Sequence, residues 1–271
     1  MSSRIINSFF AGAGVGILGG LIGLGGAEFR LPLLIGLFGF PPLPAVILNK
    51  AMSLVVVAAA LPLRIGAVPL GSVVEHWPVV INLLAGSLFG AWSGASWALK
   101  LRTSTFYLVI ATLLLAMSAA LLLGHGMGSS GQPAFQGITL IFSGIVAGFA
   151  IGVVASLLGV AGGELLIPTL VLLYGIDVKL AGSLSLAISL PTMIVGFARY
   201  SRDNSFAVLK EKFWFCLSMA LGSVAGAFIG GQLLNVIDTQ VLLPLLAAIL
   251  VISAYRMWRH SRTDPSHKAS S

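Results

Sequence analysis

The sequence predicts an all-α polytopic membrane protein made of two inverted-topology repeats. Each repeat has about five helical segments, the second of them short or re-entrant. Three observations carry this prediction: an extreme apolar excess, a duplication at one constant offset, and a lopsided distribution of Lys and Arg.

The 271 residues are 58% hydrophobic and 8% charged, with a mean hydropathy of +1.04. Such a chain has too little polar surface to cover a globular core in water. Several apolar runs approach or exceed the roughly 20 residues that cross a hydrocarbon layer about 30 Å thick. Short alternating strands, the mark of a transmembrane barrel, are missing from the pattern. The net charge of +7 does not point to nucleic acid, because most basic residues lie between or just outside apolar segments. Cys216 is the only cysteine, so no internal disulfide can form.

The duplication is read by adding 136 to a residue number. Gly12, Gly16, Gly23 and Gly26 then fall on Gly148, Gly152, Gly159 and Gly162. Glu28 falls on Glu164, and Pro32 on Pro168. Gly39, Ala45, Ala51 and Ser53 fall on Gly175, Ala181, Ala187 and Ser189. Further on, "GSLFGAWSG" from Gly86 matches "GSVAGAFIG" from Gly222 without a gap. Compositional bias does not hold one register over such a distance. The N-terminal stretch could pass for a signal peptide, but its counterpart deep in the chain makes it part of the repeat.

The first copy reads as apolar segments over 5–24, 28–40, 45–64, 78–99 and 104–123. The second reads as 137–160, 164–176, 180–199, 213–234 and 240–257. This divides the chain into repeat 1 (5–123), an extracytoplasmic linker (124–136), repeat 2 (137–258) and a cytoplasmic tail (259–271). The second segment of each copy is short, since about 13 residues rise only about 20 Å as a helix. It is a half-helix, a re-entrant arm, or a crossing inside a protein-lined cavity.

Positive charge sets the orientation. Lys100 and Arg102 separate segments four and five of the first copy; Arg199, Arg202, Lys210 and Lys212 separate segments three and four of the second. Arg256, Arg259, Arg262 and Lys268 mark the C-terminus, whereas 124–136 and "NVIDTQ" from Asn235 carry neither Lys nor Arg. With the basic regions in the cytoplasm, matching loops of the two copies lie on opposite sides. Each copy then has an odd number of crossings, and both termini are cytoplasmic, as Arg4 agrees. Arg64 is the one dissenting charge. Inverted repeats of this kind are frequent in secondary transporters, with a site at the repeat interface built from broken helices.

Each first segment ends in a glycine-rich break, "GLGGAEFRLP" from Gly23 and "GVAGGELLIP" from Gly159. Gly25, Gly26, Gly162 and Gly163 let the backbone turn and approach a ligand. The helix that follows starts with N–H groups lacking partners in the helix, which attract anions. Glu28 and Glu164 have two readings there: first-turn caps of those N-termini, or coupling carboxylates, since intramembrane acids are costly and usually functional. Arg30 has Leu166 at its matching position, which points to a partner for Glu28 or an interfacial anchor.

The third segments begin "AVILNKAMSL" and "AGSLSLAISL". Asn49 with Ser53, and Ser185 with Ser189, are spaced four apart and share a helix face. They either complete an anion shell or join helices, as small polar residues do in membranes. Lys50, near a helix start, could attract an anion or pair with an acid. Arg64 and Arg199 end the third segments as entrance charges or anchors. Gly86, Gly90 and Gly94, and Gly222, Gly226 and Gly230, predict close helix packing. Trp77, Trp97, Trp214 and Trp258 lie near segment ends, as an interfacial belt would.

At the paired breaks the chain resembles the TauE/SafE sulfite exporter (TSUP) family. "GLGGAEFRLPLL" and "GVAGGELLIPTL" carry the resemblance, each followed about a dozen residues later by an alanine-led polar helix start. The resemblance implies a multi-pass transporter of the cytoplasmic membrane. It would move a small sulfur-containing anion such as sulfite or an organosulfonate, as an exporter driven by an ion or proton gradient. Two readings compete with it: an intramembrane enzyme acting on a lipid phosphate or a peptide bond, and a passive anion channel. Against an enzyme, all four histidines lie outside the expected spans, and no segment carries H-E-x-x-H or G-x-S-x-G. No cofactor or metal is expected. The expected partners are the lipid bilayer and a small anion, with a second copy of the chain as a further candidate and no nucleic acid.

Overall fold

The computed structural model describes residues 2–22, 26–65, 70–123, 132–233 and 239–263. Among these the chain is helical throughout, without a strand. In the first half of the chain the helices are α1 (Ser2–Ile22), α2 (Ala27–Gly36), α3 (Pro42–Ile65), α4 (Leu70–Glu75), α5 (Trp77–Ala98) and α6 (Thr103–Leu123). In the second they are α7 (Gly137–Leu158), α8 (Gly163–Tyr174), α9 (Val178–Tyr200), α10 (Ala207–Glu211), α11 (Phe213–Leu233) and α12 (Thr239–Thr263). A 3-10 turn, Asn204–Phe206, leads into α10.

The expected segments are all present, within a few residues at most ends. The short α4 and α10 were not anticipated; shifting α4 by 136 brings it onto α10, so they too belong to the duplication. The last helix runs on to Thr263, past residue 258 where the second repeat was expected to end. Among the described residues, six helices are long and apolar enough to cross a membrane by length and composition, namely α1, α3, α5, α7, α9 and α11. Large apolar side chains such as Phe10, Phe89, Phe142 and Phe228 are exposed on them, where lipid would lie.

Helices pair reciprocally between the repeats. α1 packs along α11, and α7, its equivalent, packs along α5, the equivalent of α11. α3 meets its own counterpart α9, and α6 meets α12. Lipid gives no hydrophobic drive for helix association, so close van der Waals contact between backbones must supply it. The glycines provide that contact. A Cβ at Gly16 would stand 2.9 Å from the Ala227 nitrogen, and one at the matching Gly152 would stand 2.9 Å from the Ala91 nitrogen. Gly86, Gly90 and Gly94 face the α7 backbone, and Gly222, Gly226 and Gly230 face that of α1. The packing role expected for both glycine triplets is what the structure displays. Trp77, Trp97, Trp214 and Trp258 are exposed at helix ends or in outer turns.

The short helices α2 and α8 end alike. After α2 the Phe40 N–H donates to the Leu34 carbonyl at 3.0 Å; after α8 the Ile176 N–H donates to the Leu170 carbonyl at 3.2 Å. Gly39 (φ 70°) and Gly175 (φ 69°) turn the chain at these points in the left-handed region, which costs glycine nothing.

Candidate functional site

The site is built from the two helix starts that follow the glycine breaks. Gly26 (φ 70°) precedes α2, and Gly162 (φ 83°) precedes α8. Gly25 lies outside the described residues; Gly163 opens α8 and is buried. A Cβ at Gly26 would stand 3.1 Å from Val15 Cγ1, and one at Gly162 would stand 3.2 Å from Ile151 Cγ2. Each short helix thus starts directly against the long helix that precedes it. Neither glycine offers a capping side chain, and no side chain caps either helix from that position.

The first turn of each short helix carries its glutamate inward. Glu28 is fully buried and Glu164 nearly so, and the two carboxyls lie against one another. Each sits close to its own first-turn N–H. No donor among the described residues reaches either carboxyl in regular hydrogen-bond geometry. Pro32 and Pro168 add a matched feature. Lacking an N–H, they cannot bond the carbonyl four residues earlier, which is that of Glu28 and of Glu164 respectively.

The polar face of α3 ties the two breaks together. Asn49 Nδ2 donates to the Ala27 carbonyl at the start of α2 and to the Leu158 carbonyl at the end of α7, both at 3.0 Å. Ser53 Oγ donates to the Gly159 carbonyl at 3.2 Å. The joining role weighed for these two side chains is therefore met, while the buried Asn49 Oδ1 accepts no hydrogen bond. On α9 the matching pair behaves differently. Ser185 Oγ donates to the Gly182 carbonyl of its own helix at 2.9 Å, and buried Ser189 Oγ has no hydrogen-bond partner.

The cations separate. Arg30 is fully buried, with Glu28 and Cys216 near enough to influence it electrostatically. Lys50 is also fully buried, and its Nζ donates to the Ala155 carbonyl at 3.1 Å and to Ser156 Oγ at 3.4 Å. Arg199 stands apart from both: its Nε donates to Ser96 Oγ at 2.7 Å, and its guanidinium lies 5.7 Å from the Trp92 ring centroid. Arg202 lies 5.0 Å from that centroid. Arg64 falls in the last turn of α3, but its side chain is outside the described set.

Several residues that sequence reasoning passed over belong to this region. Tyr200 donates from its hydroxyl to the Ser156 carbonyl at 3.0 Å, and Ser156 Oγ donates to the Ala91 carbonyl at 2.9 Å. Ser87 and Thr192 hydroxyls bond each other at 2.7 Å between α5 and α9. Ser156 and Tyr200 match Gly20 and Arg64, so a search for repeated residues discards them. Buried polarity on an otherwise apolar helix was the signal that could have found them.

Long apolar helices around a buried seam of acids, amides and hydroxyls define a multi-pass membrane protein with a polar interior. A family model, Sulfite exporter TauE/SafE, matches residues 2–121 and 144–271, and the chain belongs to this family of membrane transporters, which are not enzymes. Searches of curated proteins and of solved structures return no match.

Proposed function

We propose that the chain is a secondary transporter that exports a small sulfur-containing anion, such as sulfite or an organosulfonate, across the cytoplasmic membrane. The observation that carries this reading is the meeting of Glu28 and Glu164 at two matched helix starts, within a chain of the sulfite exporter family. The anion is held by first-turn N–H groups at Gly26–Glu28 and Gly162–Glu164, where helix dipoles favour negative charge. Asn49, Ser53, Ser185 and Ser189 line the approach. Two adjacent carboxylates repel an anion, and a proton shared between them relieves that repulsion. Proton and anion therefore move together in one direction, so a proton gradient directed out of the compartment that holds the anion drives its efflux.

The two repeats cross the membrane in opposite senses, with both termini in the cytoplasm. The reciprocal pairing of α1 with α11 and of α7 with α5 supports this arrangement, as does the clustering of Lys and Arg. Arg199 and Arg202 flank Trp92 as entrance charges on the cytoplasmic side.

The test is a thermal-unfolding panel on purified protein with sulfite, sulfate, thiosulfate, sulfoacetate and simple carboxylates. A ligand that binds only the native state raises the midpoint, by an amount that grows with the logarithm of its concentration over Kd. The sulfur oxyanions or sulfonates are expected to stabilise the protein more than carboxylates of equal charge. Equal effects across the panel would contradict the substrate class.

A further inference from the structure

The two breaks share a sequence plan, but the side chains set around them differ. At the end of α7, four side-chain donors reach carbonyls of the closing turn, of which Ala155 and Ser156 also accept the N–H groups of Val160 and Gly159. Lys50 reaches Ala155, Tyr200 reaches Ser156, Asn49 reaches Leu158 and Ser53 reaches Gly159. Gly196 makes room for this arrangement, since a Cβ there would stand 3.0 Å from Lys50 Nζ and 2.8 Å from Ser156 Oγ. No carboxylate of the described residues faces Lys50. Its contacts are a helix-terminal carbonyl and a hydroxyl, both oxygen ligands.

Carbonyl ends of interrupted membrane helices carry partial negative charge and, in many transporters, coordinate a soluble monovalent cation. We propose that Lys50 is a tethered cation: its ammonium fills, from within the chain, the place at the α7 terminus that a soluble monovalent cation would otherwise take. Lys50 is then a positioning residue that fixes the shape of the second break and removes one cation-coupling site from the transport cycle. The device is one-sided. Lys50, Ser156, Gly196 and Tyr200 match Leu186, Gly20, Ala60 and Arg64, so the sequence does not repeat this set of residues at the first break. This inference does not rest on the identity of the transported anion, and a failure of the sulfite reading leaves it standing.

Removing the ammonium while leaving its cradle should turn the site into one for a free cation. The experiment compares thermal midpoints of full-length wild-type protein and Lys50→Ala in sodium, methylammonium and N-methylglucamine chlorides at equal ionic strength. The expected result is a lowered midpoint for Lys50→Ala that sodium or methylammonium restores in part and bulky N-methylglucamine does not, with a smaller effect of the same salts on wild type. Lys50→Met, which keeps the volume and drops the charge, should show a lowered midpoint that no salt restores. The proposal is overturned if the small cations raise wild type as much as Lys50→Ala, or if they restore nothing. A Lys50→Met midpoint equal to or above wild type overturns it as well. Should Lys50→Ala yield no folded protein, the Lys50→Met midpoint decides alone.

Discussion

The carboxyl of Glu28 lies against that of Glu164, 136 residues further along the chain, and each belongs to the first turn of a short helix entered through a left-handed glycine. If the pair shares a proton during transport, Glu28→Gln with Glu164→Gln, which imitates a permanently protonated pair, should abolish the pH dependence of anion flux. Flux in the double variant should stay near its acidic level at alkaline pH. Proteoliposome flux across a pH series checks this.

The glycines that start the short helices should tolerate no side chain. Gly26→Ala and Gly162→Ala place a Cβ in the left-handed region, at a cost of roughly 1–2 kcal/mol each. At Gly26 there is added crowding against Val15. Gly14→Ala and Gly36→Ala meet nothing within 4 Å and should leave stability unchanged or slightly raised, as alanine favours helix. Thermal midpoints of the four variants provide the comparison.

Helix-packing glycines should fail in matched pairs. Gly90→Val drives a side chain into the α7 backbone at Phe149, and Gly226→Val does the same to α1 at Ala13. Both are expected to lower yield and midpoint by comparable amounts. Gly231→Val, with nothing within 4 Å, should not. A large effect for one pair member alone would contradict the equivalence of the two interfaces.

Outside the spans, Asp203 caps the 3-10 turn by accepting the Ser205 N–H at 2.9 Å. Hydrogen bonds from Ser205 hold its carboxyl below the usual aspartate range. Because the folded value is the lower one, the contribution is present above the unfolded value of about 3.9 and is lost as pH falls through the folded one. Asp203→Ala should cost about 1 kcal/mol or less at neutral pH. Asp203→Asn, which keeps the acceptor oxygen, should lie close to wild type. Thermal midpoints at neutral and acidic pH separate the two.

Topology is accessible because Cys216 is the only cysteine. In a Cys216→Ala background, Ser129→Cys should react with a membrane-impermeant maleimide from the outside of intact cells. Ser266→Cys should react only after permeabilisation. Labelling of both positions from one side would contradict opposite orientation of the repeats.

Much of the fold was legible because duplication doubles every signal. A glycine at 26 is weak alone, and strong once Gly162 repeats it before the same glutamate and proline. Helix ends followed from glycine and proline punctuation, except for α4 and α10, whose single turns are too short to show periodicity. The site was legible only in its symmetric part. Glu28 and Glu164 stood out, but nothing local says that their carboxyls touch, since that depends on how α2 and α8 approach. Lys50 was ambiguous because its partners are a carbonyl and a hydroxyl more than 100 residues away. Ser156 and Tyr200 were missed because they break the repeat.

The most direct test of the central claim is efflux of radiolabelled sulfite from proteoliposomes under an imposed proton gradient, with wild type and the Glu28→Gln, Glu164→Gln double variant side by side. The account predicts wild-type efflux that follows the size and sign of the gradient, and variant efflux indifferent to it. Identical gradient dependence in the two proteins would contradict the claim that the carboxyl pair couples proton to anion.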